Sequence, residues 1–180
     1  ETKSNKLIAG CSSSVIAEGV TKIGRDAFNG CSGLTDITFP ESVTYIEGYA
    51  FKGCSSLTNI TIPESVTWIG ESAFESCYSL TSINIPENVI SIEGGVFRGC
   101  CSLTNIAIPE KLIVIRELAF EGCSSLTSSI TIPVGVTSVG HGAFDGCISL
   151  PSIIIPENSK LTSIGSTAFA GCNSLTSVNI

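Results

Sequence analysis

The sequence predicts an elongated solenoid of stacked coils, and two observations carry that prediction. One peptide unit is written into the chain seven times: AFKGCSSLTNITIP, AFESCYSLTSINIP and VFRGCCSLTNIAIP carry the same residue types at the same offsets, and AFEGCSSLTSSITIP does so with one residue inserted. The Phe-x-x-Cys pairs Phe28/Cys31, Phe51/Cys54, Phe74/Cys77, Phe97/Cys100, Phe120/Cys123, Phe144/Cys147 and Phe169/Cys172 recur at 23 residues over four spacings, then at 24 and 25. A period in that range marks a solenoid. The second observation is that no single unit can bury its own Leu, Ile, Val, Phe and Cys set, so the units must stack.

The unit from Leu57 to Ser79 shows why each element forms. Leu57, Ile60 and Ile62 line the inward side of a turn and a short strand, while Asn59 and Thr61 point out. Pro63 ends that strand, because it has no N–H to donate and its φ is fixed. Glu64 and Ser65 make a corner, Val66 and Ile69 return to the inside around a second short strand, and Gly70 allows the next bend. ESAFESC then reads as a short helical turn that sends Ala73, Phe74 and Cys77 inward. Strands of adjacent coils lie ~4.8 Å apart, so about seven coils span on the order of 35 Å. Each inward position becomes a ladder of like side chains.

Composition removes several function classes. Charged residues are 14% of the chain and hydrophobic residues 43%, yet Ser, Thr, Asn or Gly interrupts every apolar run well short of the roughly 20 residues a membrane span needs. With 9 basic and 16 acidic residues the net charge is -7, and Lys and Arg do not cluster, which argues against nucleic acid as a partner. The opening ETKSNK is polar and no apolar signal segment follows it.

The pattern L-x-x-I-x-I-P-x-x-V-x-x-I-G-x-x-A-F-x-x-C, carried through nearly the whole chain, resembles the BspA-type leucine-rich repeat family. The opening KLIAGCSSSVIAEGVTKIG looks like the first unit of such an array, with Ala17 where later repeats place Pro. The resemblance implies a right-handed, curved leucine-rich-repeat solenoid of parallel β-strands with short helical turns. It also implies a place on surface-exposed or secreted proteins of bacteria and some parasitic protists, a link to adhesion, and neither catalytic residues nor a cofactor. Residues 1–180 then form one leucine-rich repeat domain, with an atypical unit over 1–24 and regular repeats over 25–180. The final SLTSVNI stops where earlier repeats place Pro, which reads as a fragment of a longer array. Departures from the pattern are Glu47, Glu93 and Arg116 in the slot of Gly24 and Gly70, and Val96 for Ala. One residue is added between Leu126 and Ile130 and two between Pro156 and Leu161, and all of these bear on local curvature.

The groups able to do chemistry mostly have structural explanations. Seven of the nine cysteines, Cys31 to Cys172 in the Phe-x-x-Cys sites, take one inward position, where Cys acts as a small buried hydrophobe. Ladder neighbours sit beyond the ~3.8 Å Cβ separation that a disulfide prefers, and a straight row without His partners does not converge on a metal. Cys11 packs in the first unit, whereas Cys101 stands where other repeats have Ser and is the candidate exposed thiol. His141, the sole histidine, follows Gly140 at a variable turn position and reads as solvated. Glu18, Glu41, Glu64, Glu87, Glu110 and Glu157 follow the Pro slot and form a solvated corner row, which cannot surround a cation from one side.

The variable outward positions carry what functional information there is. Tyr45, Tyr49, Trp68 and Tyr78 all fall in one window, and Tyr45 and Trp68 occupy the same outward slot of consecutive coils, next to Lys22 in the coil before. Tyr and Trp dominate binding hot spots, although stacked aromatics also stabilise neighbouring strands without any partner. Ile90, Ile113, Val114 and Leu118 make a second apolar patch in slots that are elsewhere polar or Gly. Outward slots of the first strands, such as Asn59/Thr61 and Ser82/Asn84, are small and polar, a floor that suits a flat ligand or glycan. The expected function is a non-enzymatic extracellular or cell-surface recognition or adhesion module. Its partner is a protein or glycoprotein, host matrix included, with no cofactor, no nucleic acid and no membrane insertion. A structural spacer and a carbohydrate-binding module are the alternatives.

Overall fold

A computed structural model of the chain describes residues 13–179. Cys11, the rest of the opening through Ser12, and Ile180 lie outside the described residues. The described chain is a solenoid whose coils each have two strand sides and a turn side. The first-strand side holds β1 (Ser13–Val15), β3 (Asp36–Thr38), β5 (Asn59–Ile60), β7 (Ser82–Ile83), β10 (Ile130–Thr131), β12 (Ser152–Ile154) and β14 (Ser177–Asn179). The second-strand side holds β2 (Lys22–Ile23), β4 (Tyr45–Ile46), β6 (Trp68–Ile69), β8 (Ser91–Ile92), β9 (Val114–Ile115), β11 (Ser138–Val139) and β13 (Ser163–Ile164). Every pairing is parallel and joins equivalent positions one coil apart, as Ile23, Ile46 and Ile69 show. The coil between β7 and β10 contributes only an isolated bridge, Asn105 to Ser82.

All eight inward positions read from the unit at Leu57 are buried: Leu57, Ile60, Ile62, Val66, Ile69, Ala73, Phe74 and Cys77. Stacking turns them into ladders, and the Phe ladder is the largest. Rings from Phe28 to Phe169 stack in sequence with centroids 4.9–5.9 Å apart and planes within 18° of parallel. Offset stacking of this kind adds to the burial of each ring. Phe39 meets Phe51 edge-on at 5.8 Å.

The turn side differs from the short helical turn expected of ESAFESC: there is no helix among the described residues. Hydrogen bonding explains the difference. In the second coil the N–H groups of Ala50, Lys52 and Cys54 bond three residues back, to Glu47, Tyr49 and Phe51, while those of Tyr49, Phe51 and Gly53 bond forward to Glu71, Ala73 and Glu75. A helix needs every N–H for its own turn; here every second one belongs to the next coil. The alternation forces positive φ at two places per coil. One is filled by Gly in most coils, including Gly53 (φ 72°), and the other by Asp26, Tyr49, Ser72, Gly95, Leu118, Gly142 and Thr167, Tyr49 lying at 60° and Leu118 at 56°.

The strand sides are less continuous. The second-strand sheet runs β2-β4-β6 and then β8-β9-β11-β13, with no hydrogen bond joining Trp68–Ile69 to Ser91–Ile92. Across that gap the turn side stays bonded, through Ser72 N to Gly94 O at 2.9 Å and Phe74 N to Val96 O at 2.9 Å.

Candidate functional site

Strand register assembles the proposed row as the sequence implies. Lys22, Tyr45 and Trp68 are register partners in β2, β4 and β6, and each points out beside an inward Ile. Tyr45 is 45% exposed and Trp68 37%. Lys22 Nζ lies 6.0 Å from the Tyr45 ring centroid and 3.0 Å from Glu47 Oε1. That hydrogen bond, with a second from the Arg25 backbone N–H at 2.8 Å, holds the Glu47 carboxyl below its ordinary range. Every stacked or edge-on ring pair among the described residues is between phenylalanines. The faces of Tyr45 and Trp68 are therefore not occupied by each other.

The other two tyrosines do not join this row. Tyr49 sits on the turn side at positive φ, with Arg25 Cζ 4.7 Å and Lys52 Nζ 5.3 Å from its ring and its hydroxyl donating to Glu71 Oε1 at 3.2 Å. Its ring and hydroxyl are engaged within the array. Tyr78 is exposed but lies beyond the turn segment, at the corner leading to β7, where its carbonyl accepts from the exposed Cys101 thiol at 3.6 Å.

Beside the Tyr45/Trp68 row runs a row of threonines. Thr44 Oγ1 donates to Thr21 O at 3.1 Å and Thr67 Oγ1 to Thr44 O at 3.4 Å, and the pattern resumes where Thr137 bonds Ile113 O at 3.2 Å and Thr162 bonds Thr137 O at 3.1 Å. Ile90 and Ile113 interrupt it, 52% and 47% exposed, joined by Ile113 N to Ile90 O at 2.9 Å. Val114 is half-buried next to them, in register with Ser91, whose Oγ is enclosed without a hydrogen-bond partner. Leu118 departs from its grouping with these residues. It is half-buried on the turn side and lies over Gly142, where an added Cβ would come within 2.8 Å of Leu118 Cδ2.

The remaining groups are tied into the scaffold. Each thiol from Cys54 to Cys172 in the ladder donates to the carbonyl of the preceding coil's Phe at 3.1–3.2 Å. Burial pushes the Cys54 and Cys100 thiols up to about 12 and raises Cys77 and Cys123 as well. Cys31, in the first coil, is half-buried. His141 is exposed and its Nδ1 lies 2.8 Å from Ser166 Oγ, facing hydroxyls. In the glutamate row, Glu64 and Glu87 each accept the backbone N–H of the next coil's glutamate at 3.2 Å, so the row caps corner amides. On the first-strand side Asn59 Oδ1 accepts from Thr81 and Ser82, and the Asn84 carboxamide bonds both the N–H and the carbonyl of Ile62. The polar floor is thus largely self-bonded, apart from an open cleft of about 300 Å³ bordered by Asp36, Phe39, Asn59 and Thr61. Sequence reading passed over several exposed aliphatics, among them Ile148 in the slot of Tyr78 and Cys101, and Ile154 in the slot of Thr61 and Asn84. Column-by-column comparison of the slots is the signal that finds both.

Comparison with known proteins agrees with this geometry. The profile of the BspA type leucine rich repeat region matches in six copies over residues 6–127 and 124–180. The leucine-rich repeat protein of T. pallidum superposes with a TM-score of 0.81 at 33% identity, over 91% of this chain and 77% of its own. A leucine-rich repeat protein of Bacteroides ovatus superposes with a TM-score of 0.63 at 32% identity over 94% of this chain, which spans 56% of that protein. The pneumococcal vaccine antigen PcpA shares the fold at 20% identity, with a TM-score of 0.62 over 99% of this chain and 53% of its own. Among curated protein sequences there is no match. Among the described residues no helix is long and apolar enough to cross a membrane. The repeat pattern, the stacked-coil geometry and these matches converge: the chain belongs to the BspA-type leucine-rich repeat family.

Proposed function

We propose that this solenoid is a non-enzymatic recognition module, acting at a cell surface or outside the cell, that binds a protein or glycoprotein partner across the surface bearing Tyr45 and Trp68. The observation that supports this reading is the exposure of two aromatic side chains in register on neighbouring coils, neither stacked on another ring. Tyr49, by contrast, is engaged by Arg25, Lys52 and Glu71. Rigid aromatics on a rigid sheet bury much area at little entropic cost. Leucine-rich repeat arrays are scaffolds for protein interaction, and the family resemblance points to adhesion.

The test is a capture experiment with host matrix proteins, together with a glycan array, comparing the native chain with Trp68→Ala. The variant keeps its melting temperature and loses at least ~2 kcal/mol of affinity, the usual hot-spot threshold. Lys22→Ala, at the rim and paired with Glu47, loses far less. A lower melting temperature with unchanged affinity would instead make the pair a sheet contact and the protein a spacer.

A further inference from the structure

The Tyr45/Trp68 row and the Ile90/Ile113 pair form one apolar stripe running along the solenoid axis. Four consecutive coils contribute to it in turn: Tyr45, Trp68, Ile90 and Ile113. Ile90 occupies the slot of Thr67, immediately beside the Trp68 row, so the stripe steps sideways by one position and continues.

Carboxylates border the stripe on both sides. Glu64, Glu87 and Glu110 stand exposed at the corner that precedes the second strands, and Glu71 and Glu117 stand exposed where the strands give way to the turn side. Of the nearby cations, Lys22 pairs with Glu47 and Arg116 with Glu93 at 2.9 Å, while Lys111, bonded to the neutral Asn88 Oδ1 at 2.9 Å, keeps its charge beside Glu110. Five carboxylates against the Lys111 charge leave the border net negative around an apolar centre.

We propose that this stripe docks a cationic amphipathic α-helix of a partner protein. The proposal rests on the recognition reading above and names the partner's contact element. Charge complementarity selects the sign, since Lys or Arg on both flanks of an apolar helix face would meet the two glutamate borders. Spacing selects the helix. Adjacent strands of the stack lie ~4.8 Å apart, close to the ~5.4 Å rise per helical turn, so a helix stays within about 2 Å of register over four coils. A strand repeats its face every ~6.8 Å and falls out of step within about three coils. A neutral glycan donates hydroxyls to the carboxylates but gains no ionic attraction from them, so its binding is insensitive to salt, and an anionic one is repelled.

Trp68 is the only tryptophan in the chain, so its emission reports occupancy of the stripe directly. The full chain is titrated with a synthetic helical peptide of about 14 residues, ~21 Å long, with Leu along one face and Lys on both flanks. Two controls accompany it: a scrambled peptide of the same composition and a peptide with Glu in place of Lys. The expected result is a saturable blue shift with the cationic helix alone. Its Kd is about tenfold tighter than that of the scrambled peptide and weakens severalfold between low salt and about 0.5 M. Ile113→Thr, which installs the residue other coils carry, and Glu87→Gln each weaken binding about threefold to tenfold with the melting temperature unchanged. Equal binding of either control, or a silent Trp68, overturns the proposal. The two readings separate cleanly: if partner capture needs Trp68 but ignores Glu87→Gln and salt, recognition stands and the cationic helix falls. If no ligand depends on Trp68, the recognition reading falls as well.

Discussion

The turn side and the second-strand side belong to the same coils, yet the fold treats them differently. On the turn side each boundary between complete coils is crossed by forward N–H bonds, by a stacked pair of Phe rings and by a thiol reaching the preceding Phe carbonyl. On the second-strand side the backbone ladder lapses between Ile69 and Ser91, and the threonine row lapses at Ile90 and Ile113. The stack survives both lapses because the turn side is intact there. The lesson is a division of labour. The turn side carries the repeated Phe and Cys contacts that hold the coils together, and the second-strand surface is where Tyr, Trp and Ile vary from coil to coil.

If that division is right, the largest effects come from the turn side. The first is alkaline unfolding. Folded Cys54 and Cys100 keep their protons up to about 12, whereas the unfolded thiols ionise near the ordinary 9.0. The folded state then binds more protons between those values, so stability is complete below pH ~9 and falls as pH rises, by roughly 1.4 kcal/mol per unit per thiol. Denaturation midpoints measured from pH 8 to 11 fall steeply in the native chain and less steeply in Cys100→Ala; identical slopes would break the comparison.

Next in size is Phe74→Ala, which removes one fully buried ring from the ladder and lowers stability by about 3–5 kcal/mol in chemical denaturation. Gly70→Ala follows. The added Cβ would meet Gly48 N at 2.5 Å and Glu47 C at 2.8 Å, backbone atoms that cannot move aside as a side chain does, so a loss of about 1–3 kcal/mol is expected. The smallest effect belongs to the second-strand side. Ile90→Thr restores the hydroxyl row toward Thr67 O and changes stability by no more than about 0.5 kcal/mol, while partner binding weakens. A large stability change from Ile90→Thr would show that the surface is structural after all.

The turn side was also the legible side. Phe-x-x-Cys displays the period because ring stacking and the thiol-to-carbonyl bond require those residues in every coil. Its backbone was less legible: ESAFESC has the local look of a helical turn, and only the neighbouring coil, which takes every second N–H, prevents one. The positive-φ slot was hidden for a similar reason, since Gly95 and Gly142 advertise it but Tyr49 and Leu118 fill it too. Outwardness could be read from the period, but not which side of the coil an outward residue would occupy. That is why Tyr78 and Leu118, read only as outward, lie off the second-strand side that carries Trp68 and Ile113.

The alternating bonds of the turn side also set how the molecule would yield to force. Bonds between coils run along the solenoid axis, so tension applied through the chain ends loads one coil boundary at a time. The terminal coil peels before its neighbour feels the load. Each released unit of 23 residues would pay out about 80 Å of extended chain, at ~3.3–3.6 Å per residue. An array built this way would lengthen in nearly equal steps while the remaining coils keep their shape, because each coil contacts only its neighbours.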